Sequence, residues 1–387
     1  MLTAIVGINW GDEGKGRMVD LLSRDSQIVV RYQGDVSSEH TIVTHQGRYV
    51  LNLLPAGIIR PDVVCVMGNG MVIDPAHLEQ EIAGLRDNGI QITPANLKIS
   101  HRATVSLPFC GTDMASVYGK KAMNQAIRMG DLLHPGYLRA RLGEHYTTEV
   151  EAWAKQYADI FRDYICDVGP YLEEAHAMGM DILFEAPQGA LRDVDFGIYP
   201  YTCSSSTVAA YATIGAGIPG LKLDRTIGIM KAFSSMVGEG PFPAELFGDD
   251  AQHLMETGNE TAVKDAQEHR VGAFDAVASR YGVRIQGADE LALTKLDTLS
   301  YLDKIPVCVA YEINGVRTED FPIGADLEHA KPVIEYVDGW NMNISECRTA
   351  DDLPVGALTY VKYLEQLVGC KITYISVGAE RDACIRL

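Results

Sequence analysis

Asn9-Trp10-Gly11-Asp12-Glu13-Gly14-Lys15-Gly16 lies between an apolar run, Leu2 to Ile8, and Arg17-Met18-Val19-Asp20-Leu21-Leu22. The first flank is short enough for one buried strand, and the second has helical spacing. Strand, glycine-rich loop and helix in this order make a phosphate cradle. The glycines let the backbone turn tightly and bring its N–H groups close to a ligand, and the helix start favours an anion. The pattern is not the common P-loop (Gly, four residues, then Gly-Lys-Ser/Thr), because an Asp-Glu pair sits inside it and Gly16 follows the lysine. A carboxylate inside a phosphate loop repels phosphate unless it binds magnesium or takes a proton from a substrate. Asp12 and Glu13 therefore point to chemistry as well as binding; the alternative is an ordinary glycine-rich turn.

The remaining composition narrows the class. With 387 residues, 47% of them hydrophobic, the chain can bury one large core, and no segment is of low complexity. A net charge of −19 sets it against nucleic acid and anionic membranes, which it would repel at long range. The eight cysteines, at 65, 110, 166, 203, 308, 347, 370 and 384, have no CxxC spacing and are expected to be reduced thiols. Neither a charged-then-apolar leader nor a long apolar segment is present, so the expected location is the cytoplasm.

The segment Gly11 to Gly16 resembles the signature of the adenylosuccinate synthetase family, whose members join aspartate to inosine monophosphate (IMP) using GTP and magnesium. The resemblance implies that Gly11, Glu13, Gly14, Lys15 and Gly16 hold the nucleotide, and that Asp12 is both catalytic base and metal ligand. It extends along nearly the whole chain. Gln27 to Tyr32 reads as a strand feeding the polar loop Gln33 to Thr41, where the family has Gly-Gly-x-Asn-Ala-Gly-His-Thr. By this match His40 is the general acid and, with Asp12 and Lys15, catalytic, while Thr41 belongs to the nucleotide site. Glu39 replaces a glycine whose carbonyl serves magnesium, which makes Glu39 a second metal candidate. Ser37 replaces the asparagine.

Further on, Val63 to Met67 reads as a buried strand ending in a turn at Gly68-Asn69-Gly70, and a helix follows with Leu78, Ile82 and Leu85 on one face. Between Pro108 and Asp131 the family carries a longer segment that clamps the substrate phosphate, including an arginine donated across a dimer interface. This chain is shorter there and has Asn124 at the arginine position; an asparagine does not replace a charged bidentate clamp. His134 to about Met180 is helical scaffold. The strand Ile182 to Glu185 leads into the longest close match, in which Gln188 falls on the position that reads the hypoxanthine edge, as an amide can with its paired donor and acceptor. Thr202 and Cys203 fall at the substrate phosphate, Cys203 on a family threonine, and Val237 falls at the ribose. The family's arginine-rich amino-acid loop here reads Lys264-Asp265-Ala266-Gln267-Glu268-His269-Arg270. Arg270 is the one arginine left to the substrate, and Asp265 and Glu268 oppose a dianionic amino acid. Lys295 and Asp297 match the guanine-reading motif, the carboxylate accepting from the ring N–H and the exocyclic amine, and Ser376 and Gly378 close that pocket.

Short buried strands alternating with helices indicate an α/β fold with a mainly parallel central sheet flanked by helices. The resemblance makes it the P-loop-NTPase-like fold of the family: one domain over 1–387, with a mainly helical excursion at 101–180. It implies a GTP-dependent ligase and a homodimer, whose partners are a purine nucleotide and an amine donor, aspartate in the family. Its mechanism deprotonates the purine, phosphorylates the carbonyl oxygen and lets the amine displace it. Because the nucleotide half is largely intact and the substrate loops are altered, IMP and aspartate are expected to be used poorly if at all, and altered substrates stay open. The alternative is a nucleotide-binding paralogue without turnover.

Overall fold

A computed structural model describes residues 1–44, 47–110, 114–260, 269–322 and 324–387. Leu2–Gly7 (β1) is buried at every position, as an unbroken apolar run must be when both faces of a strand are covered. Ten more strands share its sheet among the described residues: Ile28–Gly34 (β2), Val64–Ile73 (β3), Leu97–Ser100 (β4), Thr104–Val105 (β5), Ile165–Cys166 (β6), Ile182–Gly189 (β7), Arg225–Lys231 (β8), Glu290–Thr294 (β9), Ile372–Ser376 (β10) and Cys384–Arg386 (β11). Their order is β11-β10-β9-β8-β1-β7-β2-β3-β4-β6, with β5 beside β3. All pairings are parallel except that of β11, the antiparallel edge. The mainly parallel sheet expected from the alternation of strands and helices is therefore present.

Along the central strands residues alternate between cores on the two faces of the sheet. Ile5, Val29, Leu183 and Ile227 enter one cluster with Met18 and Val19 of the helix Lys15–Leu22. Ala4, Val6, Val30 and Phe184 enter the other, with Leu172 and Ala175 of the helix Val168–Ala177. Since β1 lies near the middle of the sheet, the loop that follows it opens at the C-terminal edge, where β7, β8, β9 and β10 also end. In open parallel sheets that edge is where ligands bind.

Two expectations from sequence are corrected. Gly68-Asn69-Gly70 is not a turn, because β3 runs straight through it. A Cβ at Gly68 would lie 2.4 Å from the Gly215 carbonyl oxygen, and one at Gly70 would lie 2.2 Å from that of Tyr32. The glycines are there for close backbone approach within a strand. His40 and Thr41 are likewise not loop residues: they begin the strand His40–Thr44, which pairs antiparallel with Gly47–Leu51.

Candidate active site

The loop after β1 turns on left-handed residues at Gly11 (φ 101°), Asp12 (φ 56°) and Gly14 (φ 91°). Glycine adopts this region freely, whereas at Asp12 it is strain that the surroundings must hold. Much of that hold comes from Glu13, which is buried. Its Oε1 accepts from the N–H groups of Asn9 (3.0 Å) and Gly11 (2.9 Å), and its Oε2 pairs with Lys15 Nζ at 2.7 Å. Burial by itself raises the Glu13 carboxyl, but the Lys15 ammonium and the N–H donors outweigh it and hold it below the usual carboxylate range. The side chain of Glu13 thus faces its own loop. Thr294, the last residue of β9, accepts no part of this pair but donates to the Glu13 carbonyl at 2.8 Å, tying the loop to the next strand end.

Asp12 differs: its carboxylate is 62% exposed and stands 3.7 Å from Lys231 Nζ, at the end of β8. Gln188, near the end of β7, lies over the same turn, since a Cβ at Gly11 would be 2.6 Å from its Oε1. On the other side, His40 covers the first turn of the helix: a Cβ at Gly16 would meet His40 Cβ at 2.8 Å. His40 Nδ1 is bonded to Glu185 of β7, and its Nε2 lies 3.4 Å from the Pro187 carbonyl oxygen. Glu185 also accepts from Ala56 N–H at 2.8 Å, and the buried Arg31 guanidinium adds its charge nearby. Burial and Arg31 hold the imidazole below its ordinary range against the pull of Glu185. The structure therefore gathers Asp12, Lys15, His40 and Gln188 about one loop, and it adds Lys231, Glu185 and Arg31, which no local motif marks.

Further along the sheet edge, Lys295 follows β9 in the left-handed region (φ 58°), its ammonium bonded to Glu260 and donating to the Gly258 carbonyl at 2.7 Å. Asp297 lies beside it. Burial pushes its carboxyl up, and N–H donors together with the charges of Arg17 and Lys295 offset this in part. Arg17 bonds Ser376 at the end of β10 and donates to the Glu380 carbonyl at 2.5 Å, while Ser376 Oγ donates to the Gly378 carbonyl at 3.1 Å. Lys295, Asp297, Ser376 and Gly378 are thus brought together, with Arg17 among them. Arg17 reads from sequence as an ordinary helix residue.

The substrate-side positions are more committed to the protein itself. Cys203 Sγ donates to the Arg192 carbonyl at 2.9 Å and contacts Ser205 Oγ at 3.1 Å. Arg192 in turn binds the carbonyls of Tyr201 and Val237, each at 2.6 Å, which fixes the Thr202–Cys203 and Val237 segments relative to each other. Ser37 donates its hydroxyl to Asp35 Oδ1 at 2.6 Å. Arg270 is paired with Glu245 and donates to the Gly240 carbonyl at 2.8 Å, so its charge already has a counterion. Glu39 Oε1 accepts from Thr41 Oγ1 at 3.2 Å. Lys264, Asp265, Gln267 and Glu268 lie outside the described residues. Among those described, no three His, Cys, Asp or Glu side chains are grouped to hold a metal, and no helix is long and apolar enough to cross a membrane.

A parallel sheet with a glycine-rich loop at the C-terminal end of a central strand, and with an acid, a lysine and a histidine gathered over that loop, defines an α/β enzyme of the nucleotide-dependent class. A model of the adenylosuccinate synthetase family matches residues 4–112 and 109–385, and the chain belongs to that family of carbon–nitrogen ligases. The adenylosuccinate synthetase of Caldanaerobacter subterraneus subsp. tengcongensis is 40% identical over 423 aligned positions, covering 100% of this chain and 99% of the relative. That of Synechococcus elongatus is 40% identical over 418 positions, covering 98% and 94%. The solved structure of a fully ligated adenylosuccinate synthetase from Plasmodium falciparum has a TM-score of 0.91 at 30% identity, covering 100% of this chain and 99% of that one. A cyanophage S-2L succinoaminodeoxyadenylate synthetase shares the fold, with a TM-score of 0.61 at 17% identity and coverage of 99% and 94%.

Proposed function

We propose that the chain is a GTP-dependent ligase that activates a purine carbonyl oxygen by phosphorylation and replaces it with an amine. One observation carries the reading: Asp12, Gln188 and His40 converge from three segments on the same phosphate loop. Gln188 orients the purine edge beside the Asp12 carboxylate, which removes the ring proton, and the purine oxygen then attacks the γ-phosphate. Lys15 lies in the first turn of the loop helix, its buried ammonium paired with Glu13 at the base of the cradle that would receive the phosphates. His40, held by Glu185 through Nδ1, presents Nε2 to the transferring group. Lys295 and Asp297 select guanine, and Arg17, Ser376 and Gly378 form the wall of that pocket.

A magnesium ion fits this donor set. The exposed Asp12 carboxylate would supply one protein oxygen and Glu39 is the second candidate, a number that suits a cation which keeps waters and takes its other ligands from phosphates. When bound, it neutralises the charge that builds up on the phosphoryl oxygens.

In this reading IMP and aspartate are used poorly. Ser37 and Cys203 spend their hydrogen bonds within the protein, Asn124 stands where a trans arginine would serve, and Arg270 is neutralised by Glu245. A homodimer is part of the proposal and rests on the resemblance to the family. The test is phosphate release from GTP with magnesium, measured against a panel of purine monophosphates crossed with amino acids and other amines. Release that depends on one purine and one amine is expected. Binding of GTP without release in any pairing overturns the proposal.

A further inference from the structure

Lys231 ends β8 as a buried charge, 3% exposed. Its ammonium donates to Ser235 Oγ at 2.6 Å and to Glu260 Oε1 at 2.7 Å, and stands 3.7 Å from Asp12 Oδ2. Two of its three donors are spent on Ser235 and Glu260, and its approach to Asp12 is a charge contact rather than a hydrogen bond. Glu260 reaches this point because Asn259 ends the helix Gly248–Gly258 in the left-handed region, φ 51°, and Glu260 N–H bonds back to the Met255 carbonyl at 2.8 Å. The same Glu260 Oε1 pairs with Lys295. Charges of alternating sign, Asp12, Lys231, Glu260 and Lys295, therefore run from the phosphate loop to the motif that follows β9.

We propose that Lys231 and Glu260 are positioning residues. Lys231 aims the Asp12 carboxylate, and Glu260 holds Lys231 while joining it, through Lys295, to the nucleotide-base pocket. This rests on reading Asp12 as the proton acceptor and Lys295 as part of that pocket. A buried pair kept only for the fold needs Lys231 and Glu260 alone, and replacing such a pair by apolar groups is often neutral. It does not require the lysine to stand beside an exposed acid, nor its carboxylate to be shared with a second lysine. Among the described residues, Lys231 is the one cation within 4 Å of Asp12. Asp12 is an exposed side chain on a strained residue, so without that contact it loses its orientation, and misplacing a reacting group is costly. The shared oxygen adds a coupling. Because Glu260 Oε1 is the oxygen that both lysines share, loss of Glu260 is felt at Asp12 through Lys231 and in nucleotide affinity through Lys295, whereas loss of Lys231 is felt at Asp12.

The test uses the full chain labelled with 15N-lysine and free of nucleotide, with the Nζ resonances of Lys231 and Lys295 assigned by Lys231→Arg and Lys295→Arg. Asp12→Asn should shift the Lys231 resonance more than that of Lys295, whereas Glu260→Gln should shift both strongly. An unmoved Lys231 resonance in Asp12→Asn overturns the proposal whether or not the protein turns over, so this result stands apart from any failure of the ligase reading. In the kinetic arm, Lys231→Met should lower kcat at saturating GTP about tenfold or more, with the Kd for GTP within about twofold of the parent, and Lys231→Arg should recover part of the loss. Glu260→Gln should lower kcat and weaken GTP binding together. A Lys231→Met enzyme with the parental kcat, or a Glu260→Gln enzyme changed in Kd alone, overturns it.

Discussion

Replacing Glu13 by Gln tests whether this side chain organises the phosphate loop or touches the nucleotide. The change keeps the shape and removes the charge, which leaves the Lys15 ammonium buried beside a neutral amide 2.7 Å from where its counterion stood. Breaking a buried pair from one side costs about 3–5 kcal/mol, because the remaining charge has lost both water and partner. For a chain of 387 residues the unfolding entropy is about 0.8 kcal/mol/K, so the melting temperature should fall by about 4–6 °C. The effect has a direction in pH. The folded Glu13 carboxyl lies below its ordinary value of 4.5, so its contribution is present above that pH and is lost as pH falls through the folded value. Calorimetric melts of the ligand-free protein should therefore show the full difference near neutral pH and a shrinking one below about pH 4.5. A ligand-free variant melting within about 1 °C of the parent at pH 7, with GTP affinity sharply reduced, refutes the loop-organising role and makes Glu13 a direct nucleotide contact.

Three further outcomes follow from the site. GTP should bind more tightly than ATP, and Asp297→Ala should weaken GTP about tenfold or more, as the loss of charge-assisted contacts predicts; equal affinities by calorimetry would place the base elsewhere. His40→Asn should lower kcat about 10²–10⁴-fold, and Glu185→Gln should lower it less, with KM for GTP nearly unchanged in both, if the dyad acts on the transferring group as proposed rather than on nucleotide binding. Turnover with IMP and aspartate should fall about 10²–10⁴-fold below family levels in a coupled assay, and Gln267→Arg with His269→Arg should raise aspartate use if the altered loop is what limits it.

The sequence determined what depends on neighbours along the chain. The strand, glycine loop and helix at 2–22 are legible because the apolar run, the glycine spacing and the helical periodicity are local signals, and the same holds for the alternation of strands and helices that sets the fold class. Gly68-Asn69-Gly70 shows where such signals stop: the dipeptide code says turn, but the glycines answer to carbonyls of Gly215 and Tyr32 on neighbouring segments, and the strand continues. Tertiary structure alone decided the partners of the reactive groups. Glu185 is 145 residues from the histidine it holds, Lys231 comes from another strand to reach Asp12, and Arg17 meets Ser376 across 359 residues. The physical reason is that a parallel sheet brings strand ends together whatever their separation in sequence, and burial there makes each charge depend on the one beside it.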